Sequence, residues 1–312
     1  MTMRIGLDAM GGDYAPLEAV KGALAAKAEM PEIVPVLFGH HDRIVACLKE
    51  LNAPEDSFEI VHAEEIIDMG EHATKAIAHK KNSSINIGYK HLAEQKIAAF
   101  IGAGNTGAML VGSIFSVKAI DGVQRPTIAS LLPKVSGGFG VLVDVGANAD
   151  CKPEVLNQFA ILGSLYAQNV YGINDPKVAL LSIGEEKEKG NLLIQAAYPI
   201  LETNDRIHFV GNVEGRDFFN DKADVIVCDG YTGNIVLKLC ESMYYNFSKL
   251  GIQHDYLERF NFKQYGGSAI LGVNETVIVG HGISKSETFV SMFRLAQDVV
   301  NSKLIEKIKQ SF

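Results

Sequence analysis

No apolar run in this chain approaches the roughly 20 residues needed to span a bilayer, and no charged and apolar leader precedes the first strand-like segment. Neither a membrane span nor a secretory signal is expected. Cysteine is scarce: Cys47, Cys151, Cys228 and Cys240 are scattered, with no C-x-x-C pair and no close histidine partner. That pattern suggests neither a zinc site nor a disulfide framework, so no metal is expected, and it leaves reduced thiols and a cytoplasmic location as the expectation. Basic residues are outnumbered, 29 Lys and Arg against 37 Asp and Glu for a net charge of -8, which speaks against a nucleic-acid binder. Acidic small molecules would then need local basic groups. Proline is also sparse, 9 in 312 residues beside 30 glycines and 47% hydrophobic residues, the profile of an α/β enzyme with a full core and not of a disordered or repeat chain. Two catalytic signatures are missing: there is no G-x-S-x-G elbow, and the lysine-bearing stretch Gly184 to Asn191 lacks the glycine spacing of a Walker A loop.

What is present centres on Ala98 to Met109. Four apolar residues, enough for a short buried strand, run into Gly102, Gly104 and Gly107, and helical spacing resumes from Thr106 to Ser116. A strand, a glycine turn and a helix start together make a place for an anion, because the free N–H groups and the dipole of the helix point at it. The same glycines spell G-x-G-x-x-G, so a nicotinamide enzyme is a competing reading. Asp121, the acidic residue near the required spacing, lies in a loop-like stretch and not at the end of a second strand.

In chain order, Arg4 to Leu7 reads as a strand ending in Asp8-Ala-Met-Gly11-Gly12-Asp13. Asp13 ahead of Pro16 reads as a helix cap or, with Asp8, as part of a ligand site at a strand's carboxyl end. Strand Ile33 to Phe38, helix Asp42 to Leu51 and strand Phe58 to Val61 look structural; helix Ser84 to Gln95 leads to the central strand. Strands Ile128 to Leu132 and Gly140 to Val145 follow, the second ending in Asp144-Val-Gly-Ala-Asn148, then helix Glu154 to Val170 and strand Lys177 to Ile183. Beyond helix Asn191 to Leu201 and strand Ile207 to Val210, strand Ala223 to Cys228 ends in Asp229-Gly230-Tyr-Thr232-Gly233-Asn234, a turn opening a helix near Ile235; a last helix starts at about Glu287. Three such turns at one sheet edge would make a phosphate-sized pocket lined by backbone N–H groups and amides. His281, between Gly280 and Gly282, is placed where a catalytic group could be exposed.

These motifs, together with Ala103-Gly-Asn-Thr-Gly-Ala108, Glu186-x-x-Lys189-Gly190, Gly211-Asn-x-Glu-Gly215, Tyr265-Gly-Gly and His281-Gly-x-Ser284, resemble in order and over nearly the whole chain the bacterial acyl-ACP:phosphate acyltransferases of phospholipid synthesis. The resemblance implies transfer of a long-chain fatty acyl group from acyl carrier protein to inorganic phosphate, with no cofactor. It also implies a homodimer with a three-layer α/β/α fold like isopropylmalate dehydrogenase: one central, mostly parallel sheet and two interleaved lobes, residues 1–312 acting as a single catalytic unit. By the same resemblance Lys189 and Asn234 are the catalytic residues, the ammonium serving phosphate or the oxyanion and the amide orientation. Asp8, Gly11, Gly12, Asp13, Gly104, Asn105, Thr106, Gly107, Asp144, Asn148, Gly190, Asp229, Gly230, Thr232, Gly233 and His281 would line the substrate pocket.

The chain departs from the family at His72, where a proline is expected, and at Gly102, which replaces a serine. The interval from Glu241 to Tyr265 is short where many relatives carry a basic and apolar insert linked to membrane docking, so at most weak peripheral membrane contact is expected. Gly251 to Lys263 lacks a strongly basic polar face. Ile235, Leu239, Met243 and Phe247 form an apolar stripe, expected to be core before dimer contact. Lys75, Lys80 and Lys81 are either a solvated helix face or a patch for the acidic carrier protein. Two rivals share the architecture: a short-chain phosphate acyltransferase using coenzyme A, and an NAD-dependent hydroxyacid dehydrogenase, whose aspartate cluster and arginine trio are not found. A third, a non-catalytic carrier-binding module, is opposed by Lys189 and Asn234 in their intact turns.

Overall fold

The computed structural model describes residues 2–312 and divides them into two compact units, each assembled from separated stretches of chain. The first takes the chain up to Lys118 together with Phe262–Asn301, and the second takes Ala119–Asn261 together with Ser302–Phe312. In the first stretch the elements are β1 (Met3–Asp8), α1 (Leu17–Glu29), β2 (Ile33–Gly39), α2 (His41–Glu50), β3 (Glu59–His62), α3 (Ala73–His79), α4 (Ser84–Ala93), β4 (Ala99–Gly102) and α5 (Thr106–Ser116). The second unit follows with β5 (Thr127–Pro133), β6 (Phe139–Val143), α6 (Pro153–Tyr171), β7 (Lys177–Leu181), α7 (Leu192–Glu202), β8 (His208–Val213), β9 (Val225–Val227), α8 (Gly230–Lys249) and α9 (Asp255–Glu258). The chain returns to the first unit for β10 (Ser268–Leu271), β11 (Thr276–Val279) and α10 (Ser286–Asn301), and closes in the second with α11 (Leu304–Ser311).

The architecture is α/β, with mostly parallel pairing. In the first unit β1 lies between β2 and β4, β3 extends the sheet beyond β2, and β11 runs parallel to β4 while pairing antiparallel with β10. Every residue of β4 is buried, as a continuous apolar run in a strand covered on both faces requires. Phe100 stands edge-on to Phe38 and to Tyr89 with ring centroids 5.8 and 5.1 Å apart, and burying its side chain contributes about 2–3 kcal/mol. In the second unit β9 lies between β6 and β7, parallel to both, with β8 beyond β7 and β5 antiparallel to β6.

Four expectations need correction. Helix α8 begins at Gly230, five residues before Ile235, because Asp229 caps it: its carboxylate accepts from the Thr232 N–H at 2.8 Å and the Thr232 hydroxyl at 2.9 Å. Asp13 caps nothing, since α1 starts behind Pro16 with no side-chain cap. Helix α3 stops at His79, which puts Lys80 at its C-cap and Lys81 beyond it. The α8 stripe is not core: Ile235, Leu239 and Met243 are 49%, 59% and 47% exposed, and only Gly230 and Gly233 of the helix are buried.

Candidate active site

In the first unit, Asp8 leaves the carboxyl end of β1 fully buried, with Oδ1 accepting from the Met10 N–H at 3.1 Å. Oδ2 has no hydrogen bond of normal geometry. Burial raises the Asp8 carboxyl above its ordinary range, against the opposing pull of the Ser84 hydroxyl and the Met10 and Gly11 N–H groups. Gly11 and Gly104 belong to loops that meet backbone to backbone: a Cβ on Gly11 would lie 2.4 Å from Asp8 Oδ2 and 2.7 Å from the Gly104 nitrogen. These glycines are there for close approach. Gly12, at φ +107°, occupies the left-handed region, and the exposed Asp13 donates its N–H to the Gly282 carbonyl at 2.7 Å.

Asn105 is spent inside the fold. Its Oδ1 accepts from the Ala108 N–H at 2.9 Å as the N-cap of α5, and its Nδ2 donates to the carbonyls of Asp68, Met69 and Glu71 at 3.2, 3.1 and 2.9 Å. An amide placed by sequence in the pocket thus ties the acidic 68–71 segment to the helix start. Thr106 and Gly107, the first residues of α5, stay at the surface with helix-terminal N–H groups, so the anion site read from this turn reduces to them. His281 is half-buried, its carbonyl taken by the Ser284 N–H.

The second unit carries the remaining candidates. Asp144 is fully buried after β6, and its carboxylate accepts four hydrogen bonds, from the Ile128 and Ala147 N–H groups at 3.1 Å and from the N–H and Nδ2 of Asn148 at 2.7 and 3.0 Å. Asn148 Nδ2 also donates to the Pro126 carbonyl at 2.8 Å. Burial raises the Asp144 carboxyl, and these donors pull it back. Both side chains brace the β6 loop. Gly230 donates its N–H to the Asn148 carbonyl at 2.7 Å and Gly233 to the Asp229 carbonyl at 3.0 Å, and Thr232 N–H is held by Asp229. The N–H groups expected to cradle phosphate at this turn are committed to the helix start and to its seat on the β6 loop.

Two polar ends are left facing outward. Asn234, exposed in the second turn of α8, holds its Oδ1 3.5 Å from where a Gly146 Cβ would stand. Lys189 is exposed in the loop between β7 and α7, its stem packed on Gly184 and its ammonium without a partner among the described residues. Gly190 takes the turn at φ +106°, followed by Asn191 capping α7. Lys187, by contrast, is paired with Glu202.

Sequence reading named no role for Asn212, which the structure makes a support of this loop. It is 3% exposed, donates Nδ2 to the Glu186 carbonyl at 2.9 Å, and leaves Oδ1 unpartnered; Ser182 Oγ, also unpartnered, lies 3.0 Å from a Cβ on Gly190. Its place in the Gly211-Asn-x-Glu-Gly215 motif was the signal available. No cysteine here offers a thiolate: burial drives Cys228 well above its ordinary range, and burial with the nearby Asp144 and Asp229 charges pushes Cys151 up to about 12. Among the described residues no group of three or more His, Cys, Asp and Glu is placed to hold a metal, and no helix is long and apolar enough to cross a membrane.

Of the proposed carrier patch, Lys80 is half-buried and bonded to Glu71 at 2.5 Å and to the Ile66 carbonyl at 2.6 Å, while Lys81 donates to the Ile77 carbonyl at 3.1 Å. Lys75 alone of the three is an exposed cation on α3. A three-lysine face on one helix does not form.

The family model described as fatty acid synthesis protein matches residues 3–255. A protein of Halothermothrix orenii named phosphate acyltransferase is 42% identical across 99% of this chain and 98% of its own length, and one of Syntrophomonas wolfei with the same name is 43% identical across 97% of each. Among solved structures, a phosphotransacetylase from Streptococcus pyogenes superposes with a TM-score of 0.69 at 17% identity, covering 96% of this chain and 94% of that one. A 4-hydroxythreonine-4-phosphate dehydrogenase from Klebsiella pneumoniae gives 0.59 at 14% identity, covering 96% and 100%. At those identities the structural likeness speaks to the fold alone.

Proposed function

Because the chain belongs to the fatty acid synthesis protein family, whose curated relatives are phosphate acyltransferases, we propose that it moves a long-chain fatty acyl group from acyl carrier protein to inorganic phosphate, giving acyl phosphate for phospholipid synthesis. The observation that carries this reading is the pair Lys189 and Asn234, an ammonium and an amide exposed on a unit where Asp144, Asn148 and Thr232 are committed to the fold. In the reaction a phosphate oxygen attacks the thioester carbonyl. The new C–O bond forms, an oxyanion develops on the carbonyl oxygen, and its collapse breaks the C–S bond and releases the carrier thiol. Phosphate is itself the nucleophile, which fits a site whose thiols are held protonated.

Lys189 neutralises the incoming phosphate or the oxyanion, and Asn234 orients the acyl group; once bound substrate covers these exposed groups and excludes water, one such donor is worth about a hundredfold in turnover. Gly190 gives the lysine loop its turn, and Asn212 holds it from below. In the first unit Thr106 and Gly107 supply helix-terminal N–H groups for an anion, with Asp13 and His281 as further lining. The carrier protein is met through exposed cations that include Lys75. The exposed stripe on α8 supports a homodimer, since an apolar face of this kind is ordinarily covered by a partner, and the weakly basic 251–263 segment supports at most weak membrane contact for a cytoplasmic protein. The experiment is to supply long-chain acyl carrier protein and phosphate and to trap acyl phosphate with hydroxylamine, with a short-chain coenzyme A thioester as the comparison.

A further inference from the structure

Helix α8, whose first turns carry Asp229 and Asn234, forms one wall of a cavity of about 160 Å³ farther along its length. The helix contributes Cys240, Met243, Tyr244 and Phe247, and the facing wall is made by Tyr256 and Leu257 of α9 and by Phe260. The space opens to the surface beside Met243, which is 47% exposed, and its apolar lining suits an apolar guest that can enter from outside.

The two tyrosines turn only their rings inward, because their hydroxyls are engaged elsewhere: Tyr244 donates to Glu258 at 2.8 Å and Tyr256 to the Pro133 carbonyl at 3.2 Å. Phe260 stands edge-on to Phe219 and Tyr256 at 5.2 and 5.3 Å, which fixes the floor of the cavity before any guest arrives. Burial, with the Glu241 charge adding to it, pushes the Cys240 thiol up to about 11, in keeping with dry surroundings. From Asn234 to Cys240 is six residues of helix, about 9 Å along its axis and about a third of a turn around it, so a chain must run along and partly round α8. A hydrocarbon chain whose carbonyl lies at Asn234 reaches the cavity only after its first several methylenes.

We propose that this cavity is the tail site for the acyl group, holding the distal methylenes of a long unbranched chain and so selecting long acyl donors over short ones. This rests on the acyl transfer proposed above. No polar group lines the space, so a chain bearing a charge or hydroxyl at its far end is excluded.

The test uses the unmodified protein and dodecanoate as the probe, with butanoate as control. Alkylation of Cys240 by N-ethylmaleimide, followed by peptide mass spectrometry, should slow about tenfold or more at saturating dodecanoate and not change with butanoate. Equal rates under both, or protection that follows protein concentration and ignores dodecanoate, would overturn the tail site, the second result assigning the cavity to another copy of the chain. Filling the space with Cys240→Phe should lower the ratio of kcat/KM for long-chain over short-chain donors by about tenfold; an unchanged ratio would contradict the proposal. Acyl phosphate formation without protection of Cys240 would remove the tail site alone. Protection without acyl phosphate formation would support the site and remove the reaction.

Discussion

The carbonyl oxygen of Asp144 lies 1.9 Å from the point where a Cβ on Gly233 would stand, so the first turn of α8 is pressed against the β6 loop with no room for a side chain. Gly233→Ala should therefore lift the helix start off its seat and cost about 3 kcal/mol or more. Urea unfolding would measure it. A loss below about 0.5 kcal/mol, the range of an ordinary surface change, would show that the two segments are not packed this closely.

Asn105 offers a second stability test that separates its two jobs. Asn105→Ala removes the cap of α5 and the tether to residues 68–71, at a cost of about 1 kcal/mol for the cap alone. Asn105→Asp keeps the cap but sets a carboxylate against three carbonyls, and it should be the less stable of the two. Amide exchange at 68–71 should quicken in both. Parental stability in Asn105→Asp would contradict the assigned hydrogen bonds.

The buried Asp8 makes a prediction about pH. Burial raises its carboxyl in the folded state, so the folded chain holds that proton more tightly than the unfolded chain does. Its favourable contribution is complete below the unfolded pKa and is lost as pH rises through the folded one. Asp8→Asn keeps an acceptor for the Met10 N–H and carries no charge, so its stability relative to the parent should improve as pH rises from the ordinary carboxylate range through the raised folded-state pKa of Asp8. A relative stability that does not move with pH would mean Asp8 titrates as it does in the unfolded chain.

Much of the fold was legible because its strongest signals are local. The buried run of β4, its glycine turn and the start of α5 follow one another in the chain, and so do the acidic and glycine clusters at the ends of β1, β6 and β9. The roles of individual polar groups were less legible. Whether the Asn105 amide faces a ligand or its own fold is decided by carbonyls at 68–71, and whether Lys80 is free is decided by Glu71. Gly230 and Gly233 read as a turn because glycine disfavours helix interiors, yet contact with Asp144 and Asn148 is what requires them. Periodicity found the α8 stripe but says nothing of what covers it, and core was the wrong guess.

That stripe sets the association test. Leu239, 59% exposed midway along it, should be covered in a dimer, so Leu239→Glu should shift the protein from dimer to monomer in sedimentation velocity with its circular dichroism unchanged. Co-sedimentation with anionic vesicles at physiological salt should stay weak in the parent. A Leu239→Glu protein that remains fully dimeric would place the interface elsewhere.

The central claim is that the exposed ammonium of Lys189 assists attack of phosphate on a long-chain acyl thioester, and it is tested by one comparison. With long-chain acyl carrier protein and phosphate supplied, hydroxylamine-trapped acyl phosphate should form in the parent and fall about a hundredfold or more in Lys189→Met, about 3 kcal/mol of transition-state stabilisation, with the unfolding curve unchanged because methionine keeps an apolar stem against Gly184. Acyl phosphate formed by Lys189→Met within a few-fold of the parent would contradict it.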